Sequence, residues 1–532
     1  MTPRRRLAAV LLLAFVLSVS CAPSREDIGR ALPADTLFWL RLERLDTLEA
    51  SLDRLGLWEL LVARLQAPEV RRGLQDKLGL ALSDDPRADV HAVLAMSRRA
   101  DLTLHPVAAG AAPAELGFFG CLEARDAAAA GEIAAIISGA AARTEVWDET
   151  TVQVLETSGR PAYLLREGPR LLLANDAALM KRLLARLASP PDRGLAGTDA
   201  YRRLARDEDR DVSVYFTPAF QSATRWPLGG PATMPAPAIL ALMEKYGSQT
   251  CYFGADFLLT TVVSRTALEP ESALAPLFEN PSRRSRLIDW LPADTYAAEV
   301  VCVHDGARKL ALIEQLYRDL LAAVPAGEAM PLAANPFDAL DVGLGIELAD
   351  LADLVEEFAI AAAPGPGLVL LARTRGEADA ERLLGAISSA PLLGLLAEGE
   401  SRQAGGVTMR TFTAVMDPKG RAIALGRKDA TVLVVVGPRS PADLDAFLVG
   451  LGGGALPEAA VQPARRQLAA DGHAWFYLDA AGLVSTWDIP IDRTLAQVPA
   501  PLAQRLRTLV VGGHVVSRDA GVAETVIEFS GP

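Results

Sequence analysis

Five residues, Leu32-Pro33-Ala34-Asp35-Thr36, return 259 positions later as Leu291-Pro292-Ala293-Asp294-Thr295, and each copy opens a series of segments laid down in the same order. Leu78–Asp84 matches Leu344–Asp350. The stretch from Leu116 to Ile137 matches that from Gly367 to Ile387, and Leu171–Ala174 matches Val432–Val435. Tyr215-Phe216 and Phe476-Tyr477 follow, then Trp226 and Trp487, then Pro235–Pro237 and Pro499–Pro501. Ordered matches with slowly drifting offsets are the mark of a duplication. The chain is therefore expected to fold as two tandem, similar domains, 32–268 and 291–532, joined by a linker at 269–290 where prolines and arginines interrupt the apolar pattern.

The pentad has a local physical meaning. Proline holds the residue before it in extended geometry, and Asp-Thr is suited to an Asx-type turn that aims the chain into a strand. An apolar run follows each copy: Leu37–Leu42 in the first and Ala297–Val303 in the second. Asp46 and Asp305 are then placed to cap amphipathic helices. In the second copy Leu310, Ile313, Leu316, Tyr317, Leu320, Leu321 and Val324 keep helical spacing. Turn sequences such as Ser158-Gly159-Arg160-Pro161 and Asp417-Pro418-Lys419-Gly420 separate strand-like runs and predict hairpins. The fold class expected is α+β, each domain a largely antiparallel sheet packed by amphipathic helices, with parallel βαβ winding as the alternative.

The first residues read as an export signal. Arg4, Arg5 and Arg6 precede an apolar run from Leu7 to Ser20, too short to span a bilayer and of signal-peptide length. The run ends at Cys21, and Leu17-Ser18-Val19-Ser20-Cys21 resembles a bacterial lipobox, in which the cysteine is lipidated and becomes the first residue after cleavage. That resemblance implies a signal peptide at 1–20, a lipidated tether at 21–31 and a membrane contact through the lipid on Cys21. With Ala22 rather than aspartate next, it also implies outer-membrane sorting, facing periplasm or exterior. The alternatives are plain secretion with cleavage near Ala22, or an uncleaved anchor.

Charge narrows the partners. The net charge of -13 falls to -16 once Arg4, Arg5 and Arg6 leave with the leader. So acidic a surface argues against nucleic acid and against docking on anionic lipid. Once Cys21 is lipidated, Cys121, Cys251 and Cys302 remain in apolar runs, as buried thiols or with one disulfide whose pairing the spacing cannot select.

Chemistry is conspicuous by its lack of signature. The five histidines, His91, His105, His304, His473 and His514, lie far apart, and the chain has no His-Glu-x-x-His, no paired cysteines for zinc and no Gly-x-Ser-x-Gly elbow. Gly450-Leu451-Gly452-Gly453-Gly454 lacks the lysine of a phosphate loop. Asp207-Glu208-Asp209-Arg210-Asp211 begins like a calcium loop, but Val212 stands where glycine is required. No catalytic, cofactor-binding or metal-binding residue is assigned. The tryptophans supply the other lead: Trp226-Pro227, in a long proline- and glycine-rich loop, and Trp487 form a candidate interaction loop.

The export signal, the Leu-Pro-Ala-Asp-Thr opening with its strand and leucine-rich helix, and the Leu-Gly-Leu or Leu-Gly-Ile elements at Leu78 and Leu344 resemble a bacterial family of exported proteins known only as a domain of unknown function. The resemblance implies fold and location and brings no catalytic residues. The function expected is a non-catalytic, membrane-tethered envelope lipoprotein that binds or scaffolds another envelope protein. The alternative is a periplasmic carrier of an apolar ligand or lipid, and third comes a hydrolase without a visible motif.

Overall fold

A computed structural model describes residues 31–72, 85–106, 116–138, 143–147, 150–156, 161–189, 194–205, 210–220, 249–267, 273–280, 283, 285–292, 294–323, 341–342, 347–363, 367–391, 393–413, 422–437, 441–451, 473–487, 500–518 and 522–530. The fold mixes helices with extensive antiparallel sheet. Every strand ladder detailed among the described residues is antiparallel, which excludes parallel βαβ winding there. The described residues fall into two compact units, those within 1–226, 248–267 and 498–503, and those within 227–247, 268–497 and 504–532.

In the first unit the strands are β1 (Phe38–Glu43), β2 (Ser97–Pro106), β3 (Leu116–Ala124), β4 (Arg143–Trp147), β5 (Thr150–Leu155), β6 (Ala162–Glu167), β7 (Arg170–Ala174), β8 (Val212–Phe216), β9 (Cys251–Ala255) and β10 (Thr261–Ala267). Their spatial order is β4-β5-β6-β7-β3-β2-β1-β8-β9-β10. Strand β1 is thus central, between β2 and β8.

Side chains alternate across a strand, so β1 divides its residues between two faces. Phe38, Leu40 and Leu42 enter a core closed by α2 (Trp58–Gln66), α3 (Pro86–Met96) and α4 (Ala127–Ser138). Trp58, Leu65, Val90, Val93, Leu94 and Ile133 fill it, each worth about 2 kcal/mol in area removed from water. Trp39 and Arg41 lie on the opposite face.

The helix starts follow their caps, though not always the expected ones. Asp176 accepts the Leu179 N–H and opens α5 (Ala177–Ala188). Asp46 does not cap: it lies within a 3-10 turn, Leu45–Thr47, and α1 (Leu48–Arg54) begins after Thr47 without a side-chain cap. Arg44, just after β1, has a left-handed backbone with φ of 53°.

The second unit contains β11 (Ala297–Cys302), β12 (Val355–Ala363), β13 (Gly367–Thr374), β14 (Ala397–Glu398), β15 (Arg402–Ala404), β16 (Val407–Thr413), β17 (Ala422–Lys428), β18 (Thr431–Val436), β19 (Ala474–Asp479), β20 (Val510–Arg518) and β21 (Val522–Ser530). The order is β16-β17-β18-β13-β12-β11-β19-β20-β21, with β14 and β15 both edging β16. Its core gathers Ala298, Val300, Val369, Leu371, Leu433, Trp475 and Tyr477 under α10 (Pro441–Gly450), which contributes Leu444, Phe447 and Leu448. Leu287 and Ile288, just ahead of the second pentad, and Leu291, its first residue, are buried in this core. The carboxylate of Glu357 anchors that approach, accepting the Ser285 hydroxyl at 2.7 Å and the Arg286 N–H at 2.8 Å. The linker arginine Arg283 pairs with Glu356 and Glu357 rather than reaching outward.

Helix α7 (Gly306–Ala323) packs on α8 (Leu348–Ala352). A Cβ at Gly306 would collide with the Ala352 carbonyl, so only glycine allows this approach. The Asp305 carbonyl accepts the Lys309 N–H, and the carboxylate at this N-terminus is that of Asp353, which accepts the Ala307 N–H. The remaining helices used below are α6 (Asp199–Leu204), α9 (Glu377–Ser388), α11 (Ala480–Trp487) and α12 (Ala500–Arg507). No described helix is long and apolar enough to cross a membrane.

Candidate functional site

Opposite the helical core of the first unit lies a buried layer of polar and aromatic side chains. Asp101 on β2 stands across from Arg41 on β1. Its Oδ1 accepts from the Trp39 indole N–H at 2.8 Å and from Arg41 Nε at 2.9 Å. The Arg41 guanidinium also lies over the Trp39 ring, 4.5 Å from its centroid, and its Nη1 is 3.8 Å from Glu43. Arg99 adds a second cation, its Nε 3.5 Å from Asp101 Oδ2. Arg41 and Asp101 are only 3% and 2% exposed, so the pair is screened from water. Burial by itself would lower the Arg41 guanidinium, but Asp101, Tyr201 and Glu43 outweigh it and hold it above its ordinary value.

Aromatic rings extend this layer. Tyr201 of α6 stacks on Trp39 at 5.5 Å and meets Tyr215 edge-on at 5.4 Å. Tyr252 on β9 lies opposite Tyr215, and its hydroxyl is 3.1 Å from Ser213 Oγ. Burial pushes the Tyr215 phenol up to about 12, so it stays a hydrogen-bond donor at neutral pH. Among the described residues Trp39, Arg41, Tyr201, Ala205, Ser213, Tyr215 and Tyr252 line one recess of about 30 Å³. That is room for roughly two waters, far below a drug-sized cavity.

A histidine lies deeper in the same unit. His105 is wholly buried, with Nε2 2.6 Å from Thr103 Oγ1 and Nδ1 3.5 Å from Thr36 Oγ1. Thr36 is the last residue of the pentad, and its N–H and hydroxyl both bond to the Pro33 carbonyl. The turn is therefore closed by threonine and backbone rather than by an Asx side chain. Arg186 of α5 clamps the preceding carbonyls, donating to Ala31 at 2.6 Å and to Leu32 at 3.2 Å. Burial, reinforced by the charges of Arg182 and Arg186, drops the His105 imidazole to about 3. The hydroxyl–imidazole contact resembles a nucleophile and its base, but sealed from solvent it organises the turn instead.

The second unit presents a contrasting surface. One register row crosses its sheet through Leu425, Val434, Leu370, Ile360, Glu299 and Phe476. Ile360 is 40% exposed, Glu299 is exposed, and Val434, Leu370 and Phe476 are half-buried. In the first unit the row through Leu173, Leu102 and Leu40 lies under helices, with Leu40 and Leu102 at 6%. Helix α7 leaves its own apolar stripe only partly buried: Ile313 is 41% exposed, and Leu310, Leu316 and Tyr317 are half-buried.

The residues singled out from sequence fare as follows. Cys21, Trp226 and Pro227 lie outside the described residues, as do Leu78–Asp84, Leu344–Ile346 and the acidic run 207–209. Trp487 is the last residue of α11. Asp211, the one described aspartate of the calcium-like run, is buried against Arg44 and accepts the Phe257 N–H at 3.0 Å, which makes it a structural anchor. Cys121, Cys251 and Cys302 are free thiols, so the disulfide alternative does not hold among them. Burial pushes the Cys251 and Cys302 thiols up, away from reactivity. No cluster of three metal-ligating side chains occurs among the described residues.

The Arg41–Asp101 layer was not anticipated. Its trace in the sequence is faint: polar residues at alternate positions in Trp39-Leu40-Arg41-Leu42-Glu43 and in Arg99-Ala100-Asp101-Leu102-Thr103. Such alternation ordinarily marks a solvated strand face.

No protein-family model matches the chain, and no curated protein does. Among solved structures, a chain described as "Structure of crystal form I of TP0453" aligns with a TM-score of 0.26 and 11% identity, over 47% of this chain and 82% of that one. A likeness that loose carries no argument about fold or role.

Proposed function

We propose that this protein is a non-catalytic envelope lipoprotein, tethered through Cys21, made of two copies of one α+β domain, the second of which presents its sheet as a binding surface for another envelope protein. The carrying observation is the row through Ile360, Leu370 and Phe476, left partly open on a face that helices seal in the first unit. Ile360 and Leu370 are neighbours in that row and the exposed Glu299 separates them from Phe476; exposed apolar surface rimmed by polar residues marks interaction sites.

Duplication is supported by matching neighbours. Strand β1 sits between β2 and β8, and β11 between β12 and β19; β3 pairs β7 as β13 pairs β18. Thr36 and Thr295 close the same turn onto Pro33 and Pro292 at 3.1 Å. Arg44 and Asp305 share left-handed backbones, and α4 and α9 occupy corresponding stretches. The register refines one correspondence. Trp39 faces Tyr215 and its pentad-matched partner Ala298 faces Tyr477, so Tyr215 answers to Tyr477 rather than to Phe476.

The test places a photo-crosslinking residue at Ile360 in the full-length chain in intact envelopes, with Val146, 70% exposed in the first unit, as control. A discrete polypeptide adduct from Ile360 alone is the expected result. A lipid-sized mass gain there would favour the carrier reading instead, and adducts no stronger than those from Val146 would refute the surface.

A further inference from the structure

We infer that the partner of the second unit's open sheet face is an amphipathic helix with one lysine or arginine set within its apolar stripe, where it pairs with Glu299. The inference rests on the binding surface proposed above and names the chemistry of what binds there.

Glu299 stands within that surface. Strand β11 sets it between Ile360 of β12 and Phe476 of β19. Two residues further along β11, on the same face, Val301 is half-buried, and Phe358 lies opposite it on β12, also half-buried. Glu299 itself is exposed, and among the described residues no cation pairs with it. The duplicated pattern sharpens the contrast. Counted from the two pentads, Glu299 answers to Leu40, which lies 6% exposed beneath the helices of the first unit. Both positions belong to the strand that follows the pentad, β1 between β2 and β8, and β11 between β12 and β19. One copy therefore carries a sealed leucine where the other carries a carboxylate facing out.

That carboxylate selects what can cover the row. An acyl chain or a wholly apolar helix laid across Ile360 and Phe476 would take Glu299 out of water with no counter-charge, which is costly. A second copy seated face to face would turn Glu299 towards its twin, and like charges oppose that pairing. A cation carried within an otherwise apolar stripe meets both demands, because it pairs with the carboxylate while its neighbours cover the apolar side chains. The first unit shows which element suits this face, since α2, α3 and α4 close over the matching strand. Side chains of one row stand about 4.8 Å apart on adjacent strands and about 7 Å apart along one strand, both close to the rise of about 5.4 Å per helical turn. The partner's cation is therefore flanked by apolar residues three or four positions away on either side.

The experiment keeps the full-length chain in intact envelopes with the photo-crosslinking residue at Ile360 and varies Glu299. Glu299→Gln removes the charge and keeps the shape, and should lower the yield of the polypeptide adduct about tenfold, the size of one hydrogen bond to a charged group, with the circular dichroism unchanged. Glu299→Leu, which copies Leu40, should lower it at least as much, because the partner's cation then meets an apolar side chain. Mass spectrometry of the adduct should find a lysine or arginine within one turn of the linked residue, and replacing that cation by glutamate should restore the yield against Glu299→Lys. An adduct as strong from Glu299→Gln as from the native chain, a stronger one from Glu299→Leu, or a linked segment without a cation would overturn the pairing and leave the apolar surface standing. No adduct from Ile360 beyond that from Val146 would overturn both.

Discussion

Replacing Asp101 with asparagine keeps the shape of the side chain and its acceptor oxygen but removes the charge that faces Arg41. At 2.9 Å and an effective dielectric constant of about 20, the attraction lost is about 6 kcal/mol. Neutral asparagine also escapes the desolvation that the carboxylate suffers, which offsets part of that loss. The Arg41 guanidinium stays, however, at 3% exposure, with Glu43 at 3.8 Å as its remaining counter-charge on β1. Removing one partner of a buried ion pair costs about 3–5 kcal/mol, and the retained hydrogen bonds from Trp39 and Arg41 put Asp101→Asn near 3 kcal/mol. Urea denaturation of the full chain, followed by tryptophan fluorescence, measures the shift in the transition that reports Trp39. The double variant Arg41→Met with Asp101→Asn should recover most of the loss, because Arg41 then needs no counter-charge and Arg99 keeps Glu43 at 3.7 Å. A shift below about 1 kcal/mol in the single variant, or no recovery in the double, would show that the pair is not screened from water as its burial implies.

Two further outcomes follow, one from the buried histidines and one from the proposed tether. His105 titrates near 3 in the fold and at 6.5 when unfolded, so the unfolded chain binds the extra proton. Stability is therefore full above pH 6.5 and declines as pH falls through the window down to about 3, by about 2 kcal/mol by pH 5. His473, lowered to about 4 by burial and by the charge of Lys309, adds a decline of the same sign. His105→Gln should flatten its share of that acid limb, measured by urea midpoints across pH; an unchanged slope would contradict the neutral imidazole. Cys21→Ala should abolish acyl labelling and move the chain into the soluble fraction, and unchanged fractionation would place the anchor elsewhere.

Local structure was legible where it depends on near neighbours. The runs after each pentad became β1 and β11, and the stretches ending at Ile137 and Ile387 became strand followed by helix. Strand periodicity acts over two residues, so the chain carries it openly. Asp46 misled because the backbone makes a 3-10 turn at Leu45–Thr47 before α1 begins, where Arg44 is tied to Asp211, 167 residues away. The recess was invisible for the same reason. Trp39 and Asp101 are separated by 62 residues, and Tyr252 reaches them only because β8 and β9 close onto β1. Alternating polar residues on a strand look the same whether water or a packed layer covers them. What the sequence led one to expect as a mixed fold with recurring order became, in three dimensions, one sheet face sealed over Leu40 and another left open at Ile360. Strand order and helix placement decide that difference, because a side chain's burial is set by whatever distant segment packs across it.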